Sequence, residues 1–142
     1  MNMQPVPETS SEIQQPNMQV GALKTLSSCV AGAFIPGFGH ALLRKWDRAI
    51  VFFGCISVMF VTGLLLNGRL FGPEFGDLFS ILKFAADAGS GLLYWIPWLQ
   101  GLGVGDPTAY TYDYANVFIY VAGLLNMLVI VDVFDIAMGR KQ

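Results

Sequence analysis

Charge is what this chain has least of: 13% of its 142 residues are Asp, Glu, Lys or Arg, while 54% are hydrophobic. Soluble domains carry about 25% charged residues. Eight cations and ten anions cannot cover so much apolar surface, and the mean hydropathy is positive, +0.55. That excludes an ordinary soluble domain and points to a membrane protein. The net charge of −2 leaves no basic footprint for nucleic acid. Histidine occurs once, at His40, and cysteine twice, at Cys29 and Cys55, so the usual zinc ligand sets cannot be assembled. Both cysteines lie in apolar segments and read as small packing residues. No nucleophile motif, phosphate loop or metal-ligand pair is present. Gly101, Gly103 and Gly105 in GLGVGDP lack the strand–turn–helix context of a nucleotide fingerprint and read as a flexible loop. On these grounds the chain is not expected to be an enzyme, and no cofactor is predicted.

Lysine and arginine are also missing from residues 1–20, where three prolines and many Gln and Ser stand instead. Without a basic n-region or an apolar h-region this is no cleaved signal peptide. Residues 1–22 are expected to form a disordered polar tail.

Long apolar runs are what the chain does have. Ala49–Leu66, AIVFFGCISVMFVTGLLL, is eighteen residues without a charge, which reaches about 27 Å as a helix against a hydrocarbon core of about 30 Å. Ala115–Val131 is a second run, followed by Asp132, Asp135, Arg140 and Lys141. Thr25–Leu43 is a third, interrupted by Pro36, Gly37 and Gly39, so a helix there should stop or kink near Ile35. Between the last two runs, Phe75, Leu78, Phe79, Leu82, Ala86, Gly89 and Leu93 recur at helical steps, with Asp77, Ser80, Lys83, Asp87 and Ser90 on another face. That pattern predicts an amphipathic helix that is interfacial or re-entrant, with Tyr94, Trp95 and Trp98 as interface anchors beside it. The expected fold is an all-α integral membrane protein with three transmembrane helices, the first broken at the Pro-Gly turn, plus this amphipathic helix. The expected organisation is a tail (1–22), a helical hairpin with the PGFGH turn (23–67), an interfacial helix and aromatic-anchored loop (68–114), and a third transmembrane helix with a basic C-terminus (115–142).

Orientation follows the cations. Arg44, Lys45 and Arg48 follow the first span, and Arg140 and Lys141 follow the third; Lys24, Arg69 and Lys83 fall on the opposite side. The five define the cytoplasmic face, with the C-terminus cytoplasmic, the N-terminus outside and Trp46 anchoring the turn. The expected location is a bacterial cytoplasmic (inner) membrane.

PGFGHALLRKWDRAIVFF resembles the hairpin motif of the two-transmembrane-helix (TM-two) domain proteins and related uncharacterised bacterial membrane families. Pro36, Gly37, Gly39 and His40 match the Pro-Gly-x-Gly-His motif, and Arg44–Arg48 matches its basic turn. Leu42 stands where that family has an aromatic residue and Arg44 near its glycine. AGLLNMLVIVDVFDIAMGRK is similar to the C-terminal span of an uncharacterised family that adds a third helix to such a hairpin. The resemblance implies architecture and no activity.

The polar residues near the basic face form the candidate site: His40, Arg44, Asp132 and Asp135. His40 reads either as a hydrogen-bonding residue of a glycine-rich turn, or as a proton relay, a lipid-headgroup contact or an axial ligand to haem or pigment. Asp132 and Asp135 share a helical face, so either is expected to pair with His40 or with an arginine of the 44–48 turn. Asn126 is expected to hydrogen-bond a neighbouring helix. The expected role is a non-catalytic accessory or assembly subunit, with membrane lipid, other integral membrane proteins or a second copy as partners. The alternative is a small oligomeric transporter or channel whose path is lined by His40, Asn126, Asp132 and Asp135.

Overall fold

The computed structural model describes residues 15–73 and 76–139, with the side chains of 15–20 and 22 excepted. Six helices form among them: α1 (Gln15–Phe34), α2 (Phe38–Leu42), α3 (Trp46–Leu65), α4 (Leu78–Ala88), α5 (Leu92–Leu99) and α6 (Tyr112–Ala137). The only β-type pairing among the described residues is an isolated antiparallel bridge between Arg69 and Val104. The chain is therefore all-α. α1 begins inside the stretch expected to be a polar tail, because Pro16 falls in its first turn, where no proline N–H is needed. The rest of that tail, with Phe75, Arg140 and Lys141, lies outside the described residues.

Two helices are long and apolar enough to cross a membrane, α3 and α6. Their most apolar windows are 22% and 33% buried, whereas the core helix of a soluble protein would be mostly enclosed. They pack antiparallel. Near the α3 C-terminus Gly63 lets Ile119 and the Ala115 carbonyl approach to 2.5 and 2.8 Å of where a Cβ would stand, and at the other end Arg48 lies 3.7 Å from Asp132.

The third expected span is divided between two helices, α1 and α2, neither of which is among the two long apolar ones. α1 stops at Phe34, as Pro36 dictates, and the chain turns at Gly37 (φ 75°) into α2. A Cβ on Gly37 would lie 2.6 Å from the Ala49 carbonyl oxygen, so this position requires glycine twice over. Along α6, Gly39 and Ser28 lie level with Val133, and Gly32 with Ile130. Thus α1 climbs from the C-terminal end of α6 to its middle, and α2 descends again to the basic turn. The described start of α1 is at the same end as that turn, whereas three crossings would put it at the other.

The stretch read as one amphipathic helix is also a hairpin. α4 and α5 are separated at Gly89–Gly91, with Gly91 at φ 63°. Gly89 packs on the Gly123 carbonyl, and Gly91 lies against the carbonyl oxygens of Ala33 and Phe34. From there α5 returns to the loop end, where Leu70 donates its N–H to Gly103 O at 2.8 Å. That contact and the Arg69–Val104 bridge pin the glycine loop that its composition suggested would be flexible.

The apolar face of α4 is outward, and the end of its polar face is enclosed. Leu78, Phe79 and Leu82 are 77%, 70% and 62% exposed, while Asp87 and Ser90 are wholly buried. That is the arrangement lipid surroundings favour, with polar side chains partnered inside. Tyr94, expected at the headgroups, is buried for the same reason, while Trp95 is partly exposed and Trp46 is 62% exposed.

The chain thus repeats one plan twice in opposite senses: a broken-helix hairpin followed by a long helix, α1–α2 with α3 and α4–α5 with α6. The hairpins enter from opposite ends, and their tips meet beside the middle of α6.

Candidate functional site

Three polar side chains of α6 mark three depths: Asn116, Asn126 and Asp132. Asp132, at the basic end, meets His40 Nε2 at 3.0 Å and the Arg48 guanidinium at 3.7 Å. His40 is fully buried, its ring 5.1 Å from that of Phe52, and Nδ1 has no hydrogen-bond partner. With Asp132 ionised, Nε2 is the donor. The pairing expected of the aspartates and the basic turn is therefore made by Asp132. Arg48 supplies the guanidinium; Arg44, in a left-handed conformation at φ 61°, is exposed and outside the pair. Asp135 is half-buried one turn further on.

At mid-depth, the Asn126 side-chain amide donates to Gly89 O at 2.8 Å and to Gly32 O at 3.3 Å, one carbonyl from each hairpin. The reason lies in the sequence. The helical partner of Gly32 O would be the N–H of residue 36, which is proline. Asn126 supplies the missing donor and is wholly buried, with Oδ1 unpartnered.

From just beside mid-depth towards the loop end, Asp87 Oδ2 accepts the Phe71 N–H at 2.9 Å, Tyr94 donates its hydroxyl to Phe71 O at 2.7 Å, and Asn116 Oδ1 accepts the Arg69 N–H at 2.8 Å. These buried side chains clip the extended loop onto the helices. Lys83 and Arg69 lie on the Phe71 ring at 4.9 and 5.4 Å. Asp87 Oδ1 and Ser90 Oγ are buried without a hydrogen-bond partner.

Asp87, Ser90 and Asn116 were not among the expected site residues. Spacing alone placed Asp87 and Ser90 with Lys83 on a solvated face. The usable signal was the small-residue run around them, Ala85, Ala86, Ala88, Gly89 and Gly91. Such a face packs closely on another helix. Here the Ala86 carbonyl seats directly on Gly123.

The last two turns of α1 and all of α2 to α6 lie within the part of the chain that matches a known family pattern, residues 27–142. The chain belongs to DUF6677, a family of unknown function. No curated protein and no solved structure matches it. The family therefore brings no activity to the site, and the site's own geometry is the guide to function.

Proposed function

We propose that this DUF6677 member is a non-catalytic accessory or assembly subunit of the bacterial cytoplasmic membrane. α3 and α6 cross; the α1–α2 and α4–α5 hairpins enter from opposite faces without crossing. The basic turn and the C-terminus are cytoplasmic, following the cations. The observation that supports an assembly role is the outward apolar face of α4, where Leu78, Phe79 and Leu82 project from a helix that its own chain holds only near the Asp87 end. Such a face suits packing against another membrane protein.

Two experiments test this. With Cys29 and Cys55 replaced, cysteines at Leu23 and Met138 should escape an impermeant thiol reagent in intact cells while one at Tyr110 reacts; labelling of Leu23 and Tyr110 alike would restore a three-crossing topology. A photo-crosslinker at Leu82 should join the chain to a second membrane polypeptide. Crosslinks to lipid alone, with recovery as a single chain after gentle extraction, would end the assembly reading.

A second reading, passage of a small ion, is favoured by the meeting of the hairpin tips at Asn126, a mid-membrane arrangement found at the substrate and ion sites of carriers. Flux into proteoliposomes tests it. An absorbance spectrum of the purified protein tests the remaining possibility, haem or pigment on His40.

A further inference from the structure

The geometry points to a binding site for a small monovalent cation, sodium in size and charge, held at mid-depth by oxygen atoms of Asp87, Ser90 and Asn126 where the two hairpin tips meet. This goes beyond the assembly reading and stands whether the ion passes through the protein or stays in it.

The first argument is the oxygens themselves. All three residues are 0% exposed, and each keeps an unpartnered oxygen: Asp87 Oδ1, Ser90 Oγ and Asn126 Oδ1. Buried polar atoms are otherwise almost always paired, so three orphans in one neighbourhood call for an occupant. They belong together. Ser90 lies in the turn that follows α4 and donates its N–H to the Asp87 carbonyl at 3.0 Å. The Ser90 hydroxyl lies 3.1 Å from where a Cβ of Gly123 would stand, and Asn126 is one turn from Gly123 with its amide on Gly89 O.

The second argument is charge. α1 and α4 both end here by their C-termini, the negative poles of their dipoles. The Ala33 and Phe34 carbonyls of one face Gly91 of the other hairpin. Carbonyl ends of broken helices are the groups that hold sodium in carriers. No described lysine or arginine forms an ion pair with Asp87; Lys83 and Arg69 are taken up on the Phe71 ring, and the other ionisable groups facing the carboxylate are the phenols of Tyr94 and Tyr120.

The third argument fixes the valence. The site offers one carboxylate, one hydroxyl and one amide oxygen, which balances a single positive charge. Calcium sites use several carboxylates, and no three His, Cys, Asp or Glu side chains converge among the described residues.

The test uses the purified full-length protein in a zwitterionic detergent at mildly alkaline pH. Thermal unfolding is followed by tryptophan fluorescence as sodium chloride replaces choline chloride at constant ionic strength. Saturating sodium should raise Tm by roughly 5–10 °C. Asp87→Asn should abolish the shift. Ser90→Ala removes one unpartnered oxygen and no hydrogen bond, so it should fold as the wild type and need at least tenfold more sodium for the same shift. If Asp87→Asn does not fold, Ser90→Ala decides. A wild-type Tm indifferent to sodium, or a sodium response unchanged in Ser90→Ala, overturns the site.

Discussion

Asn126→Leu is the sharpest single perturbation of this fold, because one side-chain amide joins both hairpins to α6. Its loss strands two carbonyls. Gly32 O has no helical partner, since residue 36 is proline, and Gly89 O lies beyond the end of α4. Side-chain hydrogen bonds between helices in bilayers average about 0.6 kcal/mol, which sets a floor near 1 kcal/mol for two. A buried polar group left without any partner costs about 1–3 kcal/mol, which sets a ceiling near 6 for two carbonyls. The bond to Gly32 is long at 3.3 Å, so the loss should fall at about 2–4 kcal/mol. The measurement is reversible unfolding in detergent without sodium, followed by the fluorescence of Trp95 and Trp98, which stand beside Tyr94 at the loop end. Asn126→Asp sharpens it. That variant keeps the shape, removes both donors and turns a carboxylate towards two carbonyl oxygens, so it should be less stable than Asn126→Leu. A leucine variant within about 0.5 kcal/mol of wild type, or an aspartate variant more stable than the leucine one, would refute the claim that Asn126 ties the tips together.

Gly91→Ala should destabilise by more than the roughly 1–2 kcal/mol of a left-handed alanine, because its Cβ would run into the Ala33 and Phe34 carbonyls; in the same unfolding assay a loss below 1 kcal/mol would show that the tips do not touch. Asp132→Asn should lower the amount of protein recovered from membranes and cost about 1–3 kcal/mol, since it weakens the bond to a fully buried histidine. Arg48→Gln, at 3.7 Å and partly exposed, should cost under about 1 kcal/mol, and equal losses would mean that His40 is not the main partner.

The long uncharged runs announced an all-helical chain with helices long and apolar enough to cross a membrane, and Pro36 marked the end of α1 to within a residue. The pairing of Asp132 with His40 was legible because few polar groups share that end of the molecule, and a half-buried carboxylate takes the nearest donor. The course of the chain after Pro36 was not legible. A proline-broken run of apolar residues reads equally as a kinked span or as a hairpin that turns back, and the choice rests on contacts far apart in the chain: Gly39 on Val133, and Gly91 on the end of α1. The burial of Asp87 and Ser90 was not legible for a related reason. Periodicity gives two faces but not which residues of the polar one meet the rest of the chain. Lys83 obscured this, because its ammonium finds the Phe71 ring rather than an open face.

The tip-to-tip arrangement also explains why oxygen acceptors outnumber donors at mid-depth. Each tip is a tight turn whose N–H groups are spent locally: Phe38 N on Ile35 O, His40 N on Gly37 O, Ser90 N on Asp87 O and Gly91 N on Ala88 O. Gly32 O and Gly89 O are served by the side-chain amide of Asn126, whose own oxygen is left over. An asparagine at 87 would accept the Phe71 N–H as well as the aspartate does, and without a buried charge. A carboxylate in its place, with one oxygen unengaged, adds an acceptor where acceptors are already in excess. Desolvating it there costs free energy that the Phe71 clasp alone does not require. What that excess of oxygens matches, in sign and in number, is a single small cation.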